Sequence, residues 1–227
     1  MFLFNFNYNT SRVRLIGILL LIFVSSNLIS GDSEGVLFTK AKLLEIHKKY
    51  GKEVSKRFIL WKKIVEKGQG KTELQKLTIV NNFFNNQLKW VADDKLWKKK
   101  DYWATPIETL IKQAGDCEDF TIIKYFTLLA LGVSVEKLKL NYVKAIKINQ
   151  AHMVMTYSEN KKAIPLVLDN INTSILPATE RNDLKPVYSF NGEGLWIQKK
   201  ASSKKTGSSS RIRLWVDLNN RMKKELI

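Results

Sequence analysis

The sequence predicts an α+β protein in which a helical part comes before an antiparallel β-sheet. Apolar residues recur at helical spacing over 36–132, and apolar and polar residues alternate over much of 138–218. Helices followed by strands along a chain are typical of the α+β class. The length of 227 residues suits one hydrophobic core. We therefore expect one domain, residues 31–227, behind an N-terminal leader.

Residues 1–30 have the pattern of a secretory signal peptide. Arg12 and Arg14 form a basic segment, an apolar run covers 15–24, and serines follow it as small residues for cleavage. The run is shorter than the roughly 20 residues that a spanning helix needs. An uncleaved membrane anchor is the alternative, and nothing after residue 30 resembles a transmembrane segment. We expect export to the periplasm.

The helical part divides at recognisable turns and caps. Three- and four-residue steps of apolar residues over 36–67 predict two helices, which Gly51 separates. Thr72 and Gln75 have the spacing of a capping box and predict a helix over 73–88. Thr105 before Pro106 predicts a short helix that ends near residue 115.

An aromatic-rich connection over 89–110 comes just before the only cysteine. We interpret Trp90 as an ordinary core residue. Trp97, Tyr102 and Trp103 lie in a connection rather than a helix, and some of them are candidates to line a substrate groove.

Strands are expected in the C-terminal part. Alternation predicts strands over 138–148, 151–157 and 166–170, and a further pair over 188–197 around the turn at 191–194. The Lys-, Ser- and Gly-rich segment 199–211 has the composition of a flexible linker, and we interpret it as a surface hairpin loop. Residues 211–218 are interpreted as a last strand before a charged helical tail.

Cys117 is the only cysteine of the chain. Asp116 is a good N-cap, so the thiol is expected in the first turn of a helix, where unpaired N–H groups and the helix dipole favour a thiolate. One cysteine in an exported chain excludes an intramolecular disulfide framework. A lone cysteine is nevertheless more often inert than catalytic.

Two further residues complete a candidate triad. His152 begins an apolar strand, whereas His47 lies among lysines and is expected at the surface. Asp169 ends the apolar run 166–168, where a buried carboxylate needs a partner. His152 would take the Cys117 proton and Asp169 would orient the imidazole. Asn170 is the alternative orienter, because strand alternation allows only one of the two to serve.

Five motifs in order resemble the bacterial transglutaminase-like cysteine proteinases. They are Asp101–Leu110, Gly115–Phe120, Gln150–Val154, Val167–Asn170 and Pro186–Asn191. The resemblance covers about residues 38–222. It implies a papain/transglutaminase-like fold in which the Cys helix packs on the C-terminal antiparallel sheet. It also implies that Cys117, His152 and Asp169 are the nucleophile, base and orienter of an endopeptidase.

The resemblance carries further expectations about cofactor and partners. Members with these motifs are calcium-dependent periplasmic proteases that cleave the N-terminal region of a large repeat-containing adhesin, at a small-residue site. They thereby control biofilm attachment and dispersal. An inner-membrane receptor for cyclic di-GMP holds them in check through its periplasmic domain.

Three acidic residues around the thiol have two possible roles. Their negative charge would raise the thiol pKa, and a hard cation such as calcium would cancel that effect. The alternative is that Asp116 caps the helix while Glu118 and Asp119 complement its dipole. The resemblance favours calcium for Asp116 and Glu118, with Asp119 as a third candidate ligand.

The formal charge of +17 limits the classes of partner. No basic arm or nucleic-acid signature accompanies it, so we expect no nucleic acid and favour an acidic protein substrate. Two alternatives stay open beside the endopeptidase. One is a transglutaminase or peptidoglycan amidase of the same fold. The other is a binding module that acts through its basic face.

Overall fold

The structure is a computed structural model that describes residues 39–199 and 202–225. The predicted signal peptide, residues 1–30, lies outside the described residues. Among the helices of the described ranges, none combines the length and the apolar character needed to cross a lipid bilayer.

The described chain is helical first and mainly β afterwards. The helices are α1 (Lys40–Tyr50), α2 (Lys52–Gly68), α3 (Glu73–Gln87), α4 (Asp93–Leu96), α5 (Pro106–Lys112), α6 (Cys117–Ala130) and α7 (Arg213–Glu225). The strands are β1 (Lys89–Trp90), β2 (Ala114–Gly115), β3 (Leu138–Ala145), β4 (Gln150–Tyr157), β5 (Leu166–Leu168), β6 (Leu176–Pro177), β7 (Leu184–Asn191), β8 (Gly194–Lys199) and β9 (Ser202–Gly207).

The strands form two sheets. Strands β1 and β2 make a short parallel bridge, and the others make one antiparallel sheet in the order β6-β5-β4-β3-β7-β8-β9. The two central strands, β3 and β4, pair along their full length from Leu138 opposite Tyr157 to Ala145 opposite Gln150. The expected α+β class is confirmed.

Local caps set the helix ends where the sequence predicts them. Thr72 Oγ1 accepts the Gln75 N–H at 3.3 Å, and the Gln75 side chain accepts the Thr72 N–H at 3.1 Å. Thr105 and Glu108 form a second capping box at the start of α5. Gly51 has φ +85° and separates α1 from α2 in a conformation that glycine adopts without steric cost.

Helix α6 lies between α3 and the sheet. It contacts α3 on one side and β4 and β3 on the other. Its Ile122, Ile123 and Leu128 are fully buried and join one core with Phe84 of α3 and Met155 of β4. Burying each such side chain is worth about 1.5–3 kcal/mol. The expected packing of the Cys helix on the antiparallel sheet is confirmed.

The C-terminal segment folds as a helix, so the strand predicted over 211–218 is wrong. Trp215 and Leu218 lie three residues apart on one buried face of α7. The Trp215 ring stacks on Phe126 of α6 with centroids 5.7 Å apart. Helical spacing explains why these two apolar residues face the same way.

Residues 202–207 form the edge strand β9, which pairs antiparallel with β8. The loop predicted over 199–211 is therefore wrong for these six residues, although the two strands pair as the arms of a hairpin do. Lys205 of β9 lies opposite Trp196 of β8 in the antiparallel register. The Lys- and Ser-rich composition suits this position, because charged residues on an edge strand discourage pairing with other chains.

We expect Trp215→Ala to lower the free energy of unfolding by about 3–5 kcal/mol, because it removes a buried aromatic side chain from the core. Val216→Ala, at a half-exposed neighbouring position, is the matched control and should cost well under half of that. Urea unfolding followed by circular dichroism measures both. Equal losses in the two variants would contradict the packing of α7.

Candidate active site

The turn that presents Cys117 is fixed by a buried carboxylate. Asp119 Oδ1 accepts the Ala104 N–H at 2.7 Å, and Oδ2 accepts the Asp116 N–H at 3.3 Å. A Cβ on Gly115 would lie 2.4 Å from Asp119 Oδ2, so only glycine leaves room for this carboxylate. These contacts place Cys117, half-buried, as the first residue of α6.

Thr121 connects the Cys117 turn to strand β4. Its hydroxyl donates to the Cys117 carbonyl at 2.8 Å and lies 3.1 Å from the Met153 carbonyl. Met153 directly follows His152 on β4. Thr121 therefore holds the element that carries the candidate nucleophile against the element that carries the candidate base.

His152 and Asp169 form a buried pair. His152 Nε2 lies 2.8 Å from Asp169 Oδ1, and both side chains are almost fully enclosed. A carboxylate acceptor at this distance requires the proton on Nε2. In the neutral imidazole, Nδ1 is then the unprotonated nitrogen that can accept a proton. His47, by contrast, is exposed and bonds to Ser55 of α2, as the sequence predicts for a surface residue.

The Cys117 thiol has a different partner in this structure. Cys117 and His152 line the same cleft, but Sγ donates to Glu118 Oε2 at 3.0 Å. No hydrogen bond between the thiol and His152 occurs among residues 39–199 and 202–225. The structure thus brings the three candidate triad residues together. The thiol, however, donates to the Glu118 carboxylate and not to His152.

Asp169 lies in the loop after β5, not on the strand. Strand β5 ends at Leu168, so strand alternation does not separate Asp169 from Asn170, contrary to the expectation from sequence. Asp169 Oδ1 also accepts the Ile171 N–H at 3.0 Å. Asn170 makes no contact with His152 in the described hydrogen-bond network, and its buried Oδ1 has no partner there.

Arg181 is a functional candidate that the sequence analysis missed. Its Nη2 donates to Asp169 Oδ2 at 2.6 Å, and its Nε and Nη2 both lie 2.9 Å from the Asp183 carboxylate. Burial by itself raises the pKa of Asp169, but hydrogen bonds from His152, Ile171 and Arg181 outweigh it and hold the pKa well below its usual range. Asp169 is therefore ionised throughout the neutral range.

Five carboxyl groups gather beside the Cys117 turn. Asp116, Glu118 and Asp119 were expected there, and Asp93 and Asp101 join them from the preceding connection. Oxygens of Asp93, Asp116 and Asp119 lie within 4.8 Å of one another, and so do oxygens of Asp93, Asp101 and Glu118. Asp93 belongs to both groups, so the five residues make one acidic cluster.

The acidic cluster fits a calcium ion. Burial, together with the hydrogen bond and charge of Glu118, raises the pKa of Asp116 to about 9. Burial also raises the pKa values of Asp93, Glu118 and Asp119. Asp93 Oδ1 and Asp116 Oδ1 are buried and have no hydrogen-bond partner within the part of the chain that the structure describes. A hard divalent cation with oxygen ligands would satisfy both atoms and the surplus negative charge.

The same acids keep the Cys117 thiol protonated. Burial, and then the charge and hydrogen bond of Glu118, raise the pKa of Cys117 well above its usual range. The N–H of Met153 faces the sulfur and offsets only part of this effect. The helix N-terminus therefore does not outweigh burial and the neighbouring acids, and compensating the charge of the acidic cluster would lower the thiol pKa.

A cleft of about 790 Å³ runs past Cys117 and His152. The rest of its lining is mixed in chemistry. It includes four aromatic and two basic residues, namely Trp90, Trp103, Tyr142, Tyr188, Lys100 and Arg213, together with the acidic Asp101, Asp116 and Glu118 and a few apolar residues. Trp90 is 61% exposed at the rim, so its interpretation as a core residue is wrong. The bridge of β1 to β2 fixes it beside the Cys117 turn.

Only one of the three groove candidates lines the cleft. Trp103 does so, and its ring stacks on Phe190 at 5.5 Å. Trp97 and Tyr102 pack on each other at 4.8 Å outside the cleft lining. The Tyr102 hydroxyl donates to Glu108 of α5 at 2.7 Å, which gives this aromatic pair a structural role.

A cysteine at the start of a helix, lining one cleft with a sheet histidine that pairs with a carboxylate, defines the papain- and transglutaminase-like class of thiol enzymes. The family model of the bacterial transglutaminase-like cysteine proteinases matches residues 47–221. The chain therefore belongs to the bacterial transglutaminase-like cysteine proteinases.

Solved structures of one protein resemble this chain closely. EGTA-treated LapG of Legionella pneumophila is 40% identical, with a TM-score of 0.73 over 80% of this chain and 96% of that one. Calcium-bound LapG is also 40% identical, with a TM-score of 0.70 over 80% and 98% of the two chains. No curated protein matches the chain.

We expect Glu118→Gln to accelerate alkylation of Cys117 by iodoacetamide at neutral pH in EGTA. Removing the negative charge of Glu118 lowers the pKa of the thiol. While the pH is below that pKa, a fall of the pKa by one gives roughly tenfold more thiolate. The single cysteine makes the reaction specific. Glu66→Gln, on an exposed part of α2, is the control, and equal rates in all three proteins would refute the influence of Glu118.

Proposed function

We propose that this chain is a calcium-dependent periplasmic cysteine endopeptidase that cleaves the N-terminal region of a large cell-surface adhesin. The observation that carries the proposal is the cleft in which Cys117 lies beside His152, with His152 paired to Asp169. Family membership supports the protease activity.

The three residues have distinct roles in the proposed mechanism. His152 Nδ1 takes the Cys117 proton, and Sγ attacks the carbonyl carbon of the scissile peptide bond. The imidazolium then protonates the leaving amine, and water hydrolyses the acyl-enzyme thioester with His152 as base. Asp169 holds the proton on Nε2 throughout. The backbone N–H of Cys117, at the N-terminus of α6, is the first oxyanion donor.

Calcium is the proposed cofactor, held by Asp116, Glu118 and Asp119, with Asp93 and Asp101 as further ligands. The ion supplies positive charge that compensates the carboxylates around the nucleophile. Glu118, as one of the residues that would hold the ion, would no longer be available to accept the thiol proton, and His152 would be the acceptor left to Cys117. LapG of Legionella pneumophila has been solved bound to calcium, which supports the assignment.

The proposed substrate and regulation rest on the family resemblance. The adhesin carries many repeats, its release controls biofilm dispersal, and the protease is sequestered by an inner-membrane receptor when cyclic di-GMP is bound. The leader pattern of residues 1–30 supports a periplasmic location. A formal charge of +17 is suited to attract an acidic adhesin segment.

The main test is proteolysis of the candidate adhesin's N-terminal region by residues 31–227. We expect cleavage with calcium, at least hundredfold slower cleavage in EGTA, and none with folded Cys117→Ala, because the nucleophile and its charge compensation are both required. Gel electrophoresis and mass spectrometry identify the products.

Other outcomes of that test separate the alternatives. Incorporation of an added amine without chain cleavage would favour a transglutaminase, and cleavage of peptidoglycan amides would favour an amidase. Full adhesin release by Cys117→Ala in cells would favour a binding module. Cleavage indifferent to EGTA would return Asp116 and Glu118 to a capping role.

Trp90→Ala should raise KM about tenfold and leave kcat nearly unchanged, because Trp90 offers an exposed apolar surface to bound substrate away from the reacting atoms. Trp196→Ala, on the sheet outside the cleft lining, is the matched control and should change neither constant. A fall in kcat with constant KM would contradict a purely binding role for Trp90.

A further inference from the structure

Lys124 is a buried lysine on the same helix as Cys117. Its side chain is enclosed between α6, α3 and the loop after β5, with 1% of its surface exposed. Its Nζ lies close to three oxygen acceptors: Asn85 Oδ1 at 2.7 Å, Asn81 Oδ1 at 2.9 Å and the Asp169 carbonyl at 3.1 Å. The mechanism proposed above makes no use of this group.

The three acceptors match an ammonium group. An ammonium has three N–H donors, whereas a neutral amine has two and would turn a lone pair toward one of the oxygens. Burial lowers the pKa of Lys124 to about 7, and the charge of Asp169 opposes that effect. Against the effect of burial, the three oxygen acceptors favour the charged form of Lys124, which also makes the stronger hydrogen bonds.

The side chains of Asn85 and Asn81 that contact Lys124 also hold the loop that carries Asp169. Asn85 Nδ2 donates to the Asp169 carbonyl at 2.8 Å, so this carbonyl accepts from both Asn85 and Lys124. Asn81 Nδ2 donates to the Thr173 carbonyl at 2.8 Å. Because β5 ends at Leu168, these bonds replace the strand ladder that no longer supports the backbone at Asp169.

We propose that Lys124 is a positioning residue that sets the Asp169 carboxylate at its bonding distance from His152. Asp169 is then held at two points, by Lys124 and Asn85 at its carbonyl and by Arg181 at its carboxylate. The proposal deepens the peptidase function and rests on it for its effect on catalysis. The hydrogen bond between His152 and Asp169 is itself observed in the structure, so it can be measured whether or not the protein is a peptidase.

The test compares Lys124→Met with wild type by proton NMR and by kinetics. The low-field resonance of the His152 Nε2 proton, identified by its absence in His152→Ala, reports the bond to Asp169. We expect Lys124→Met to lose or broaden this resonance and to lower kcat about hundredfold with little change in KM, as misplacement of a catalytic group does.

Lys76→Met is the matched control. Lys76 also donates to a backbone carbonyl, that of Leu131 at 2.6 Å, but has no connection to Asp169. It should keep both the resonance and kcat. If Lys124→Met does not fold, Asn85→Ala removes the other donor to the same carbonyl and should weaken the resonance.

An unchanged resonance and kcat in folded Lys124→Met, or in Asn85→Ala if that variant replaces it, would overturn the proposal and leave Lys124 as a residue of the core alone. The NMR measurement is independent of any substrate. If the wild type has the resonance but cleaves nothing, the peptidase function fails while the positioning role is still decided by the variants.

Discussion

The ionised carboxylate of Asp169 is the point on which the site depends. A buried anion is costly unless its hydrogen-bonding capacity is filled, and here both oxygens and the residue's own carbonyl have donors. Those donors come from β4, from the loop after β5 that carries Asp169 itself, from the loop beyond β6, and from two helices of the N-terminal part. The helical and sheet parts are thus joined by polar contacts as well as by the shared core, and the same contacts orient the histidine.

The start of α6 differs from the surroundings of Asp169, because there several carboxyl groups lie close to one another. There burial, and then the negative charge of neighbouring carboxyl groups, raise the pKa values of Asp116 and Asp119 and that of the Cys117 thiol between them. At Asp169 protein groups compensate the buried negative charge, whereas at the start of α6 the carboxyl groups cluster together. The proposed calcium ion would compensate the charge beside the thiol and not beside the histidine.

Sequence patterns predicted the features that depend on local physics. Caps at Thr72 and Thr105, the break at Gly51 and the alternating strands are all properties of neighbouring residues. The segment 211–218 was misinterpreted because its short apolar run suits either a strand or a helix, and only the stacking of Trp215 on Phe126 decides between them.

The site residues that the sequence did not predict were missed for a different reason. Arg181, Lys124 and Asp93 stand in ordinary sequence surroundings. Arg181 and Lys124 become significant through Asp169, which lies 12 and 45 positions away in the chain, and Asp93 through the carboxyl groups of the acidic cluster. For Trp90, ordinary core is the usual interpretation of an aromatic side chain, and the sequence does not show that the β1–β2 bridge leaves it exposed. A buried lysine inside the apolar helix that carries the cysteine was the one available signal, because a cation rarely occupies such a position without dedicated acceptors.

The hydrogen bond from the Cys117 thiol to Glu118 has a chemical consequence beyond catalysis. Sulfenic acid formation and disulfide exchange both begin with the thiolate, so a thiol kept neutral by an adjacent carboxylate reacts slowly with oxidants and with foreign disulfides. The arrangement would therefore slow oxidation of the resting thiol, and any change that lowers the pKa of Cys117 would make the same sulfur easier to oxidise.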